Sequence, residues 1–74
     1  MPRYYFRLTD GAAILDNHEG IDLSGNAAAR DDAVALARHL KYGVVMQGWN
    51  WRGWFINITD AHGHKVDEIS IADV

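Results

Sequence analysis

The chain has 74 residues, no cysteine and a formal net charge of −3. The absence of cysteine excludes a disulfide framework and a thiolate metal site. The negative charge disfavours nonspecific electrostatic binding to nucleic acid or to anionic lipid. No stretch approaches the roughly 18 apolar residues of a membrane span. We therefore expect a single small domain over residues 1–74, located in the cytoplasm, of modest stability because so short a chain buries only about 60% of its unfolded surface.

The first segment alternates as a β-strand does. Tyr4, Phe6 and Leu8 fall on one side of residues 3–9, and Tyr5 and Arg7 fall on the other. Because this alternating run starts almost at the first residue, where an export signal would carry an apolar helical segment, we expect no export signal.

A hairpin is predicted next. Asp10 and Gly11 form a strong turn pair. Residues 12–15 can return as a short strand, and residues 16–20 are turn formers that predict a loop.

The segment Asn26–Tyr42 has the pattern of an amphipathic helix. Its apolar stripe consists of Ala29, Ala33, Leu36, Ala37 and Leu40. Ser24 or Asn26 is placed to cap the start, and Gly43 to end the helix in a left-handed conformation. Three alanines in the stripe predict close packing against a sheet.

The second half predicts another hairpin. Residues 44–46 are apolar and are expected to pack across the end of the sheet. Residues 54–59 alternate as a strand, a turn follows at residues 60–63, and the last strand breaks its period near residues 67–68, as a β-bulge would. The order ββαββ predicts an α+β fold, with a four-stranded antiparallel sheet and one helix packed on one face.

Several motifs of this chain follow one another in an order that resembles a known family. They are the opening Met1-Pro2-Arg3-Tyr4-Tyr5-Phe6, the Asp10-Gly11 turn, the alanine-rich helix and the closing hairpin from Phe55 to Gly63. Together they are similar to a family of short bacterial proteins of unknown function, many of which open Met-Pro-Arg-Tyr-Phe-Phe. The resemblance covers nearly the whole chain and implies no catalytic residue, substrate or cofactor. The tryptophan-rich residues 49–54 depart from the family pattern.

One turn holds candidate metal ligands. His62 and His64 flank a glycine, and Asp60, or Asp16 with His18, could complete a site if the hairpin tips meet. A metal needs three or four convergent ligands, and only two imidazoles are local. We expect a solvent-exposed turn and no bound metal or cofactor. Since no nucleophile, paired-carboxylate or phosphate-loop pattern occurs either, we expect no enzyme.

The most informative cluster is Trp49, Trp51 and Trp54 with Arg52. Trp54 is assigned to the core. For the other two indoles three interpretations stay open: a protein interface, internal packing, or a stacking platform for single-stranded nucleic acid with Arg7 and Arg52 as cations.

The surplus of aromatic residues favours a small noncatalytic interaction module, a homodimer whose contact uses the open sheet face or the tryptophan strand. Its predicted interface residues are Tyr5, Arg7, Trp49, Trp51 and Arg52. The alternative is an antitoxin-like or regulatory module that binds a partner protein or nucleic acid. It rests on a topological similarity to the antitoxin partners of small toxin–antitoxin pairs, which also place a hairpin before an alanine-rich helix.

Overall fold

The computed structural model describes residues 2–44 and 47–74, with the backbone alone for residues 16–19. It confirms the predicted α+β class, one α-helix with an antiparallel sheet, and adds a short 3₁₀ helix that the sequence did not predict. The sheet has the strand order β2-β1-β3-β4. The elements in chain order are β1 (Arg3–Thr9), β2 (Ile14–Asp22), α1 (Asn26–Tyr42), β3 (Phe55–Asp60), β4 (Lys65–Ser70) and the 3₁₀ helix (Ile71–Asp73).

The strand β2 is longer than predicted, and the prediction of a loop at residues 16–20 is wrong. Pairing with β1 carries the strand from Ile14 to Asp22, with two register shifts that place extra residues in β2. These bulges accommodate turn-forming residues within a strand. Gly20 has a specific role, because a Cβ at that position would overlap the side chain of Arg3. Tertiary pairing has therefore overridden the local turn preference.

The core lies between α1 and one face of the sheet. Its alanines, at residues 29, 33 and 37, are fully buried, as the stripe predicts. The sheet contributes alternate residues to the same layer, which are Tyr4, Phe6, Leu8, Ile56, Ile58 and Ile69. Small side chains on the helix let its backbone approach the sheet closely, and the burial of each large side chain contributes about 1.5–3 kcal/mol.

The helix begins differently from the prediction. Gly25 is the N-cap residue, and neither Ser24 nor Asn26 makes a side-chain capping hydrogen bond. Asn26 instead accepts a hydrogen bond at Oδ1 from the hydroxyl of Tyr4, at 2.8 Å. The expected cap is thus used to fix the start of the helix to β1.

The helix also ends differently. Gly43 is extended, with φ of −76°, so the predicted left-handed cap is wrong. A glycine is nevertheless suited to this position, because a Cβ would overlap the carbonyl oxygen of His39. Lys41 holds this end of the helix against the last turn of the chain, since its Nζ donates to the carbonyl oxygens of Ala72 (2.7 Å) and Val74 (3.0 Å).

The predicted bulge in the last strand is present. Ile58 pairs with Asp67 and Thr59 with Lys65, so Val66 is the extra residue, slightly earlier than expected. The bulge lets Val66 and Ile69 both pack towards the core. Residues 45 and 46, predicted to pack across the sheet, lie outside the described chain. Val44, in the same prediction, is 82% exposed.

Candidate interaction surfaces

The face of the sheet opposite α1 carries a shallow polar depression. Arg7 pairs with Asn57 across β1 and β3, and Tyr5 pairs with Thr59. Thr59 also pairs with Lys65 of β4. Because paired residues share a face, these five side chains come together and line a cavity of about 210 Å³. We call this surface the open-face depression.

The depression has a mixed electrostatic character. Arg7 and Lys65 supply two cations, and the Lys65 ammonium lies 3.1 Å from a carboxylate oxygen of Glu68. At the rim, Arg3 pairs with Asp22 at 3.1 Å, and this pairing raises the pKa of the Arg3 guanidinium. The Oδ1 atom of Asn57 is buried without a hydrogen-bond partner in the described chain. An unpaired buried acceptor costs about 1–3 kcal/mol of folding stability.

The three tryptophans form one cluster, with ring centroids 6.1–6.4 Å apart. The rings are inclined by 54° to 85°, within the geometry that aromatic pairs prefer. Trp54 is half-buried and packs against the core. The cluster ties the loop before β3 to the body of the domain.

The structure removes Trp51 from the predicted interface, because its side chain is buried. The backbone N–H of Trp54 donates to the Trp51 carbonyl at 3.0 Å, and Gly53 adopts the positive φ of 81° that this turn requires. The turn folds Trp51 back into the core, where it is only 5% exposed. Its side chain is therefore unavailable as a surface contact. Trp49, by contrast, remains 46% exposed.

Large apolar side chains gather at one end of the domain. Of the six that are exposed in the described chain, Tyr5 lies in the open-face depression. The other five lie near one end of the sheet. They are Ile14 (56% exposed), which pairs with Thr9 at the end of the open face, Leu15 (45%), Tyr42 (69%), Val44 (82%) and Trp49 (46%). We call this second surface the Trp end.

Strand pairing explains why these residues share an end. Thr9 pairs with both Ile14 and Phe55, so the first hairpin and the start of β3 are neighbours. The tryptophan loop leads directly into Phe55. The hydroxyl of Tyr42 donates to the carbonyl of Val74 at 3.2 Å, which brings the end of the helix to the same end of the sheet, on the side of β4.

The histidine turn closes the opposite end of the sheet. Asp60 Oδ1 accepts hydrogen bonds from the backbone N–H groups of His62 and His64, each at 2.9 Å. These bonds, led by that from His64, hold the pKa of the Asp60 carboxyl below its ordinary value. Among the described residues no three potential ligands converge on a metal position. The suggested contribution of Asp16 and His18 lies outside the described side chains.

The structure divides the predicted interface residues. Tyr5 and Arg7 meet in the open-face depression, and Trp49 lies at the Trp end. Arg52 is an exposed turn residue whose backbone N–H donates to Asn50 Oδ1 at 3.1 Å. The sequence analysis gave the open sheet face and the tryptophan strand as alternatives for the contact, and the structure shows that they are separate surfaces.

The structure also adds residues to both surfaces. Lys65 and Asn57 complete the open-face depression. The sequence could have indicated them through the alternation of β3 together with the bulge in β4. Tyr42 and Val44 extend the Trp end. The sequence could have indicated these two residues, because they are apolar and lie just beyond the apolar stripe of the helix, where no core position is available.

The fold and its surfaces define a class: a small α+β protein with one helix on an antiparallel sheet. Residues 3–72 match the model of the family described as Domain of unknown function (DUF6894), and the chain belongs to that family. The predicted resemblance to a family of unknown function is confirmed at this level. No curated protein and no solved structure matches the chain. The described residues contain no helix with the length and apolar character of a membrane span.

Proposed function

We propose that this protein is a noncatalytic interaction module that self-associates through the Trp end. The observation that carries the proposal is the concentration of five exposed large apolar side chains at one end of the sheet. Exposed apolar side chains concentrated at one end of a small domain support an interaction site there. The bacterial and cytoplasmic setting expected from the sequence stays a prediction.

A second copy of the chain is the partner that this surface fits. The five side chains that define the Trp end are uncharged, and the exposed charged residues near them, Asp10, Arg52 and Asp73, are of both signs. Trp49 and Tyr42 are the residue types that dominate the energetics of protein interfaces. Elsewhere the net charge of −3 would oppose close approach of two copies, which favours this end for the contact.

The size of the domain supports association. A chain of 74 residues without cysteine builds one small core, and domains of this size often gain stability by oligomerisation. The core alanines contribute little buried area each, which limits the hydrophobic stabilisation available within one chain. Covering the Trp end would supply apolar burial that the isolated fold lacks.

The experiment compares Val44→Glu with Ala61→Glu by light scattering on a sizing column. Val44 lies at the Trp end, and Ala61 is an exposed residue in the turn at the opposite end of the sheet, so both variants add one charge at an exposed position. We expect the wild type and Ala61→Glu to approach twice 8.3 kDa as concentration rises. We expect Val44→Glu to stay at the monomer mass, since a buried unpaired carboxylate opposes the contact.

A wild type that stays monomeric at every concentration would contradict the proposal. That result would favour the alternative, an antitoxin-like or regulatory module with a different partner. Dimers of equal strength in both variants would place the contact away from the Trp end and would contradict the proposed surface. Circular dichroism of each variant checks that the fold is retained.

A further inference from the structure

Charges of opposite sign flank the Trp end at the ends of the two central strands. We propose that two copies of the chain meet about a two-fold axis that passes between β1 and β3, perpendicular to the sheet, so that Asp10 of each copy faces Arg52 of the other. This arrangement rests on the proposed function, because it specifies how the Trp end meets a second copy. Asp10 and Arg52 then set the orientation of the contact, and the apolar side chains supply its buried area.

Asp10 and Arg52 leave neighbouring strand ends. Asp10 directly follows Thr9, the last residue of β1, and Arg52 precedes Phe55, the first residue of β3, by three residues. Thr9 pairs with Phe55, so the two charges belong to adjacent strands. Since β1 and β3 are the central strands of the sheet, both charges are placed towards the middle of the Trp end.

The backbone holds both residues in place while their charges stay available. Asp10 Oδ1 accepts hydrogen bonds from the backbone N–H groups of Ala12 (3.0 Å) and Ala13 (2.7 Å). These bonds, led by that from Ala13, hold the pKa of the Asp10 carboxyl below its ordinary value. The backbone N–H of Arg52 donates to Asn50 Oδ1 at 3.1 Å. Both charged side chains are exposed, and neither forms an ion pair within the described part of the chain.

The direction of the two-fold axis decides which charges meet. An axis perpendicular to the sheet exchanges the two sides of its end, so β1 of one copy lies opposite β3 of the other and the contact between Asp10 and Arg52 occurs twice. An axis in the plane of the sheet, across the strands, sets each strand opposite its own copy, so Asp10 meets Asp10 and Arg52 meets Arg52. Because like charges opposite each other disfavour a contact and opposite charges orient it, the perpendicular axis is favoured.

The perpendicular axis also matches the exposed apolar groups. Ile14 and Leu15 lie on β2, at one edge of the sheet, whereas Tyr42 lies on the side of β4, where its hydroxyl donates to the carbonyl of Val74. Within one chain the two groups are separated by the central strands. Exchange of the two sides brings Ile14 and Leu15 of one copy onto Tyr42 and Val44 of the other. One closed contact therefore covers both groups.

The first test is a double-mutant cycle on the full chain. The dimer dissociation constant is measured by sedimentation equilibrium at low salt for Arg52→Glu, for Asp10→Asn and for the two combined. Asp10→Asn removes the charge and keeps the Oδ1 acceptor that orders the turn. The control Arg38→Glu makes the same change in net charge as Arg52→Glu, at an exposed position on the helix. Circular dichroism checks that each variant is folded.

We expect Arg52→Glu to raise the dissociation constant about tenfold, because both symmetric contacts become repulsive. Asp10→Asn alone should raise it about threefold, since it only removes the attraction. The combined variant should bind more tightly than Arg52→Glu, because the introduced carboxylate then faces a neutral side chain. Arg38→Glu should behave nearly as the wild type does, and added salt should bring Arg52→Glu and the wild type together.

The second test uses the wild type alone. A dimer formed from ¹³C-labelled and unlabelled chains reports only contacts between copies when isotope-filtered nuclear Overhauser effects are recorded. We expect such contacts between the Leu15 methyl groups of one copy and the Tyr42 ring of the other. This measurement decides the matter even where a charge variant fails to fold.

Two results would overturn the proposed axis. One is a combined variant no tighter than Arg52→Glu, or an Asp10→Asn dimer tighter than the wild type, as an axis in the plane of the sheet implies. The other is a set of contacts that join Leu15 to Leu15 instead of to Tyr42. Either result, with Val44→Glu still monomeric, would leave the proposed function standing. A wild type that is monomeric at every concentration would reject both, so the two failures are distinguishable.

Discussion

The two faces of the sheet differ in what their alternate residues do. On the covered face, Ile56 and Ile58 are fully buried against the alanines of the helix. On the open face, their immediate neighbours Asn57 and Thr59 are half-buried and line a polar depression. The same strand therefore contributes stability through one set of side chains and a solvent-facing polar surface through the other.

This division follows from the period of two in a β-strand. A residue on the covered face cannot change without leaving a cavity or a steric overlap, because the helix packs directly above it. A residue on the open face can change with little loss of packing. Pairs of neighbouring substitutions, one on each face, therefore test the division directly.

The largest effect is expected for Ile58→Ala, with Thr59→Ala as its neighbour on the open face. Ile58 is fully buried, so its truncation should lower the free energy of unfolding by about 2–5 kcal/mol. Thr59→Ala should change it by no more than about 0.5 kcal/mol. Urea denaturation followed by circular dichroism measures both, and similar losses in the two variants would contradict the division of the faces.

A smaller effect is expected for Tyr4→Phe, with Tyr5→Phe as the control. The buried Tyr4 hydroxyl donates to Asn26 at 2.8 Å and fixes the start of the helix to β1. Its removal should cost about 0.5–1.5 kcal/mol in the free energy of unfolding, the usual net value of one hydrogen bond. Tyr5 lies on the open face, so its variant should unfold as the wild type does. A Tyr4→Phe protein as stable as the wild type would show that the contact does not hold the helix.

The smallest effect is expected for Asp67→Asn, which removes an ion pair between the sheet and the helix. Arg30 contacts Asp67 at 2.5 Å and, by this hydrogen bond above all, holds the pKa of the carboxyl below its ordinary value. The pair is partly exposed, so it should contribute only about 0.2–1 kcal/mol at neutral pH.

The pH dependence of this pair has a definite sign. Because the pKa is lower in the folded state than in the unfolded state, the contribution is present above about pH 4 and is lost as the pH falls further. The unfolding free energies of wild type and Asp67→Asn, measured between pH 7 and acid, should therefore converge below about pH 4. A constant difference across this range would show that the substitution acts through something other than the lost charge.

The covered face was the more predictable of the two. Period two in β1 and β3 and the alanine stripe of the helix are local patterns, and they identified the core directly. The bulge in β4 was also predictable, because only an extra residue brings Val66 and Ile69 to one face. Each of these features follows from residues that are close in sequence.

The remaining features depend on contacts between distant segments. Residues 16–20 read as a loop, but pairing with β1 makes them a strand. Trp51 was predicted to be an interface residue because the chain has more aromatic residues than one helix can cover, but the turn at Gly53 returns its side chain to the core. The open-face depression needs β1 beside β3, a neighbour relation that the chain order does not determine.

The most direct test of the proposed interaction module is a dilution series of ¹H–¹⁵N spectra of the wild type. We predict concentration-dependent shifts at the Trp49 indole and at the amides of Tyr42 and Val44, with none at Arg7 or Thr59. That pattern would locate self-association at the Trp end and away from the open face. Shifts centred on the open face, or none over the whole concentration range, would contradict the account.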